Sequence, residues 1–332
     1  MNEPHTGEDA YWLGSQVIRP TLEDDPVYRW FQSKEEEIKS SDQLINIENP
    51  SGSPTEFITK IGAFSLHRCQ ETGFVYANPR LSTSTLVEYF TGNNAAEYFD
   101  GVERGLETRH RSVYSPQAEY LKERLPRRAR VLEVGCGTGG FLETLRDEAE
   151  FEVTGIEIAP GARKYQRRRN LNVHRVPIED FAASDGFDAV VMWSVMDHFS
   201  DPMAALASCW RNLTVGGYIY VGNVNIEGFD HQIIGPSIRT FRVPSRVNFY
   251  NVSALEDQLE RTGFRVIEAR TPGSLDIEMV RDYWKTGGEH GRNPFLEVLL
   301  LNDANESSAQ AFQRFLTENG HSGYQAILAR KH

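Results

Sequence analysis

The chain has 332 residues, with 35 Lys and Arg against 47 Asp and Glu, for a formal charge of −12. That length suits one large domain, or a domain of roughly 200 residues with an appendage. The acidic balance excludes a dedicated nucleic-acid binder, whose affinity comes from cations set against phosphates. Three cysteines, Cys69, Cys136 and Cys209, are too few and too scattered for a disulfide framework. No run approaches the roughly 18 apolar residues of a membrane span, and the polar start "MNEPHTGEDA" shows no secretory signal. The expectation is a cytoplasmic protein that binds neither membrane nor nucleic acid.

Residues 1–50 carry eleven acids and four bases, with aromatic anchors at Tyr11, Trp12, Tyr28, Trp30 and Phe31. This composition predicts a partly ordered arm. "NPSGSP", at 49–54, is a turn or linker. Two strand-like runs between Phe57 and Tyr76 flank "CQETG" and predict a hairpin, followed by a capped helix in "STSTLVEYF". From about Thr108 the pattern changes. A helix in "PQAEYLKERL" leads to a short buried strand, "RARVLEV", then a glycine turn and a helix, "GFLETLRDEA". "FEVTGIEI", "LNVHRV", "FDAVVMW" and "GYIYVGNV" are the next strands, with helices "PGARKYQRRRN" and "DPMAALASCWRNL" between them. In the first of these helices Arg163, Lys164, Arg167, Arg168 and Arg169 spread around the circumference and read as a solvated outer face. After an irregular stretch at 225–250 come a helix, "SALEDQLERTG", and the strands "FRVIEAR" and "GYQAILARK". Strand and helix alternating at short loop lengths mark a doubly wound, mostly parallel α/β sheet.

The turn "VLEVGCGTGGFL" poses the functional question. In such a fold the first strand-to-helix turn lies at the carboxyl edge, where ligands bind. Glycines there permit unusual dihedrals and close approach of a ligand to backbone. Gly135, Gly137 and Gly140 also satisfy G-x-G-x-x-G, which keeps an NAD(P)-dependent oxidoreductase open as an alternative. Glu133, two residues before the first glycine, would serve a dinucleotide pyrophosphate poorly. Glu157, ending the second strand, can hold ribose hydroxyls in either class.

The span from Arg130 to Val224 resembles a class I S-adenosylmethionine-dependent methyltransferase. "VLEVGCGTGGFL" is similar to that family's first motif, and "VTGIEIAP" to its second-strand acidic motif. "FDAVVMWSVMDHFSDP" resembles its fourth strand and loop, and "LTVGGYIYVGN" the glycine-pair turn into the fifth strand. The resemblance implies a seven-stranded Rossmann-like sheet whose last strand, supplied by "GYQAILARK", runs antiparallel. It divides the chain into an arm, hairpin and helical cap at 1–107 and a methyltransferase domain at 108–332, with 225–250 covering the acceptor. "HRCQETGFVYANPRL" further resembles the amino-terminal segment of bacterial small-molecule and sugar methyltransferases, in which a cysteine knuckle precedes an "NPR" turn. Here Cys69 stands alone, Thr72 replaces the second cysteine, and three cysteines cannot build a four-ligand site, so no metal is expected.

The resemblance implies S-adenosyl-L-methionine as cofactor and assigns its contacts. Gly135, Cys136, Gly137 and Gly139 form the loop, with Cys136 a small filler, while Glu133 supports the loop and the positive methionyl end. Glu157, with Ile158 beside it, takes the ribose hydroxyls. Ile178 and Glu179 occupy the adenine region, where the family commonly has an acid slightly earlier and this chain has Val176 and Pro177. Trp193 and Ser194 line the methionine side, and Tyr98 and Arg111 close over the methionyl carboxylate. Methyl transfer to a hydroxyl or ammonium also needs a proton removed. His198, after the fourth strand, is the first candidate base, although the same ring could cap the next helix or pack on the cofactor. His231, in the covering insertion, is the second. The expected acceptor is a small molecule methylated on oxygen, with nitrogen next and carbon third. A catalytically silent cofactor-binding scaffold and homodimerisation stay open.

Overall fold

The computed structural model describes residues 11–13, 16–18, 26–39, 43–61, 63–92, 95–235, 238 and 243–332, with side chains from 33 onward except at 59, 61, 95–98 and 108. The chain forms two compact units. One comprises 83–223, 255–270 and 326–332, the other 1–82, 224–254 and 271–325. Residues 83–107, grouped with the arm in the sequence reading, thus fall with the sheet, and much of 224–325 falls with the amino-terminal segments. Packing gives the reason for the first difference. Phe99, on a helix at Ala95–Arg104, is buried in one cluster with Ala159, Ala162 and Tyr165, and Phe90 packs against it.

The first of these units holds the seven-stranded sheet. In chain order its strands are β1 (Arg130–Val134), β2 (Glu152–Ile156), β3 (Val173–His174), β4 (Phe187–Trp193), β5 (Leu213–Val224), β6 (Phe264–Arg270) and β7 (Tyr324–Lys331). Their order across the sheet is β3-β2-β1-β4-β5-β7-β6. β1 through β5 pair in parallel, and β7 runs antiparallel to β6. The centre falls where the sequence is most continuously apolar. β4 pairs on both edges, and its Val190, Val191 and Met192 are fully buried, each worth about 1.5–3 kcal/mol of transfer free energy. Strand order reverses between β1 and β4, so the turns after these two strands flank the crevice in which such sheets bind ligands.

The helices follow their caps. α1 (Pro202–Asn212) starts where the Asp201 carboxylate accepts from the Ala204 N–H at 2.9 Å, with Pro202 in its first turn. The glycine pair before β5 does not end in a plain turn. Gly216 (φ 76°) and Gly217 lie inside the long strand, where the register with β4 jumps from Phe187↔Leu213 to Ala189↔Tyr218. An aromatic stack ties sheet to helices: Phe141, Trp193, Tyr220 and Tyr120 lie at successive centroid separations of 5.3, 5.8 and 5.4 Å.

In the other unit the hairpin expected around "CQETG" is present: Phe64–Cys69 pairs antiparallel with Val75–Ala77. It belongs to a four-stranded sheet, completed by Thr55–Ile61 on one edge and Asn248–Phe249 on the other. The stretch at 225–250, read as irregular, therefore contributes a strand, and also a helix at Phe229–Ile234. Around Cys69 the turn closes through backbone, with Cys69 N–H to Phe74 O at 2.8 Å and Gly73 N–H to Cys69 O at 3.0 Å. Fully buried Arg80, from "NPR", donates to the Ala77 and Val247 carbonyls and to Asn248 Oδ1. Helices at Asp276–Lys285, Pro294–Leu301 and Glu306–Glu318 complete this unit. Of the aromatic anchors in the arm, Tyr11 and Trp12 lie on a strand and Tyr28, Trp30 and Phe31 on a helix, but their side chains lie outside the described residues.

Candidate active site

The turn after β1 is built from three left-handed glycines. Gly135, Gly137 and Gly139 have φ of 72°, 51° and 86°, a region that costs an L-residue about 1–2 kcal/mol. Two of the three also have no room for a side chain. A Cβ on Gly135 would lie 2.6 Å from Val195 Cγ2, and one on Gly139 would lie 2.3 Å from Leu171 Cδ1. Gly137 differs, because the nearest atom to its Cβ would be Phe99 Cε1 at 3.9 Å. The middle of the turn is therefore open, and the helix Gly140–Asp147 begins directly behind it with Gly139 as its cap.

Side chains from the second βα unit hold this turn. The two oxygens of Glu157 accept separate backbone N–H groups, Gly137 at 2.9 Å and Ala159 at 2.8 Å. Gln166, almost fully buried, donates to the Gly137 carbonyl at 2.7 Å. Glu133 is opposite in character. It is 3 % exposed, and its Oε2 is buried without a hydrogen-bond partner. Burial, and then the charge of Glu157, push its carboxyl up to about 8. Burial also raises Glu157, but the Ala159 and Gly137 amides and the charge of Arg175 pull the other way. Cys136 is buried with its Sγ against Gly155, and burial pushes its thiol well up, so it fills space as a neutral group.

The turn after β4 begins at Ser194, a non-glycine residue at φ 55° whose N–H donates to Gly222 O at 2.8 Å. A 3₁₀ turn at Met196–His198 follows, with Met196 and Asp197 buried and the His198 side chain 24 % exposed. The His198 ring meets Phe90 edge to face at 6.1 Å, and its Nε2 lies 3.9 Å from Asp197 Oδ1. Trp193 is buried, packed over Gly222, where a Cβ would come within 2.3 Å of the indole.

Glu133, Gly135, Cys136, Gly137, Gly139 and Glu157 thus share one contiguous cluster at the carboxyl edge, and Val195 packs the turn that carries Ser194 and His198 against it. Ile158 is half-buried next to Glu157, Ile178 is buried in a 3₁₀ turn, and Glu179 is half-buried with its carboxyl raised by burial. Arg111 is exposed on a π-helical turn at His110–Tyr114. Tyr98 lies on the helix at Ala95–Arg104, but its side chain falls outside the described residues. His231 belongs to the other compact unit, where it is buried with Nδ1 3.0 Å from Asp230 Oδ1.

Two residues escaped the sequence reading. Gln166 gives no signal, since one amide among arginines has no pattern. Arg169, read as part of a solvated face, is only 11 % exposed: it bonds Glu143 at 2.9 Å, Glu103 at 3.0 Å and the Thr138 carbonyl at 3.5 Å. The reason is its place at the end of its helix, next to the glycine turn instead of outside it. Lys164 is likewise paired, with Asp100 at 2.6 Å.

Comparison with known proteins agrees with this geometry. Residues 106–269 match the family described as "Methyltransferase domain". Over 116 residues the chain is 37 % identical to a ubiquinone biosynthesis O-methyltransferase of Xanthomonas axonopodis pv. citri, covering 32 % of this chain and 48 % of that one. Over 158 residues it is 29 % identical to the Bordetella avium protein of the same name, covering 42 % and 65 %. The chain therefore spans about half to two thirds of the length of these relatives. Among solved structures, a complex between the Haloferax volcanii Trm112 methyltransferase activator and a methyltransferase matches in fold, with a TM-score of 0.50 at 16 % identity over 70 % of this chain and 98 % of that one. Motifs, strand order, the glycine turn and the family match converge: residues 106–269 belong to the class I S-adenosylmethionine-dependent methyltransferases.

Proposed function

We propose that the protein transfers a methyl group from S-adenosylmethionine to a hydroxyl oxygen of a small-molecule acceptor. One observation carries the reading: the left-handed glycine turn is open at Gly137 and backed by a buried carboxylate oxygen that lacks a partner. A buried acceptor left unmade costs about 1–3 kcal/mol, so a donor or cation supplied by a ligand suits Glu133. A pyrophosphate at this point would bring negative charge toward the Glu157 carboxylate and would offer Glu133 neither a donor nor a cation, which disfavours a dinucleotide. Oxygen as the acceptor atom draws its support from the names of the matched relatives.

The residues fit the cofactor in the following way. Glu133 faces the cationic methionyl end. Glu157 spends one lone pair of each oxygen on an amide and keeps others for the ribose hydroxyls. Gln166 and Glu157 fix the turn before anything binds, so little ordering is left to be done on association. When bound, the sulfonium supplies an activated methyl group. Alignment of the acceptor oxygen can then provide an effective molarity of roughly 10⁵–10⁸ M. His198 accepts the proton that the hydroxyl loses, and its partial exposure lets that proton pass on to solvent.

The test is incubation with methyl-labelled S-adenosylmethionine and a panel of hydroxylated metabolites, phenols included, followed by mass spectrometry of products. A labelled methyl ether is the expected result. Calorimetric binding of NAD(H) with none of S-adenosylmethionine would overturn the reading.

A further inference from the structure

Glu133 and Glu157 stand at the ends of adjacent parallel strands, with Glu133 in register with Gly155. Their surroundings are unequal. Glu157 has an amide donor on each oxygen, whereas Glu133 has a buried Oε2 with none. Where two carboxylates interact, the one buried without donors keeps its proton. We infer that Glu133 is protonated in the cofactor-free site and gives up that proton when the cationic cofactor enters, so that loading is coupled to pH. The inference rests on reading the turn as an S-adenosylmethionine site and adds the proton to it.

The groups around Glu133 support this assignment. From β2 comes the charge of Glu157, and from the glycine turn Cys136, which burial keeps as a neutral thiol. Arg175, after β3, acts on Glu157 and Cys136. From β4, the paired residue is Val191, with Met192 next to it, neither of them charged. Burial and Glu157 then set the Glu133 carboxyl at about 8, so near neutrality the acid form dominates. Entry of a cation favours the carboxylate. The O–H bond of the acid breaks, its proton goes to solvent, and no other bond changes.

The sign follows from linkage. Below about pH 8 the free site holds one more proton than the loaded site, so affinity rises with pH and levels off near that value. S-adenosylmethionine offers two cations, the sulfonium and the α-ammonium. Adenosylhomocysteine keeps only the ammonium, and methylthioadenosine has neither.

Calorimetry of the full chain in two buffers of different ionisation enthalpy, between about pH 6 and 7.5, reads the proton directly. That window stays below the ligand amine, which titrates near 7.7–8.0. Close to one proton should leave per S-adenosylmethionine bound, and affinity should rise nearly tenfold per pH unit. Glu133→Gln should release none and bind with little pH dependence. Release with adenosylhomocysteine assigns the ammonium as trigger, its absence assigns the sulfonium, and methylthioadenosine should release nothing. If the variant fails to fold, difference infrared spectroscopy of the unaltered protein should show a protonated-carboxyl band lost on loading. Binding without proton release, or an equal release by methylthioadenosine, overturns this inference and leaves the site reading standing. No binding at any pH overturns both.

Discussion

The turns after β1 and β4 leave adjacent strands of one sheet, yet they are held in opposite ways. The first takes its shape from glycines at positive φ, and its fixing groups, Glu157 and Gln166, reach in from the next βα unit. The second takes positive φ at Ser194, pays with a non-glycine residue, and ends on a partly exposed imidazole. A turn made of backbone can fit a ligand closely but has nothing with which to move a proton. A turn carrying His198 can move a proton but offers less surface to bind. Under the proposed function, binding and chemistry fall to different strands, and substitutions should separate them.

The largest effect is expected at the second turn. As a hypothesis motivated by its position and partial exposure, His198→Ala should lower kcat by roughly 10²–10⁴ with cofactor affinity nearly unchanged. Calorimetry and steady-state kinetics check this, and near-normal kcat would reduce His198 to a packing role. At the first turn, Gly135→Ala meets both strain and Val195, so cofactor binding should weaken by about 2–4 kcal/mol. Adding Val195→Ala should recover the steric part only. Gly137→Ala, with room for its methyl group, should show the strain alone, about 1–2 kcal/mol. Equal losses at Gly135 and Gly137 would contradict this difference in packing.

Glu157→Ala removes the acceptor for two amides as well as the proposed ribose ligand, and should cost about 1.5–3 kcal/mol in cofactor affinity, measured by titration calorimetry. Gln166→Ala should cost least, about 1 kcal/mol, since it loses one neutral bond to the Gly137 carbonyl. Any of these first-turn variants that reduced kcat at saturating cofactor, with affinity intact, would blur the division between the two turns.

Much of the sheet unit could be read from the chain because its signals are local. A near-continuous apolar run makes β4 a central strand, "DP" caps α1, and "EVGCGTGG" can only be a turn at positive φ. The residues proposed to bind by backbone or by strand-end carboxylate, Gly135, Gly137, Gly139, Glu133 and Glu157, carry the same local signature. Gln166 and Arg169 do not, because their partners are 29 residues away at Gly137 and 26 away at Glu143. The other unit was harder for the same reason. Asn248–Phe249 becomes a strand only because Val75–Ala77 offers it an edge, and a two-residue segment has no periodicity of its own.

The sequence by itself determined the α/β class, the strand succession, the glycine turn and the identity of the two carboxylates, since each is written within a few neighbouring residues. Only the tertiary structure decided which carboxylate is supplied with amide donors and which is left with a bare buried oxygen. It also decided that residues 83–107 fall in the compact unit that holds the sheet and that His231 is buried beside Asp230. Those outcomes depend on burial and on contacts between distant segments, and desolvation sets a charge only after the chain has closed around it.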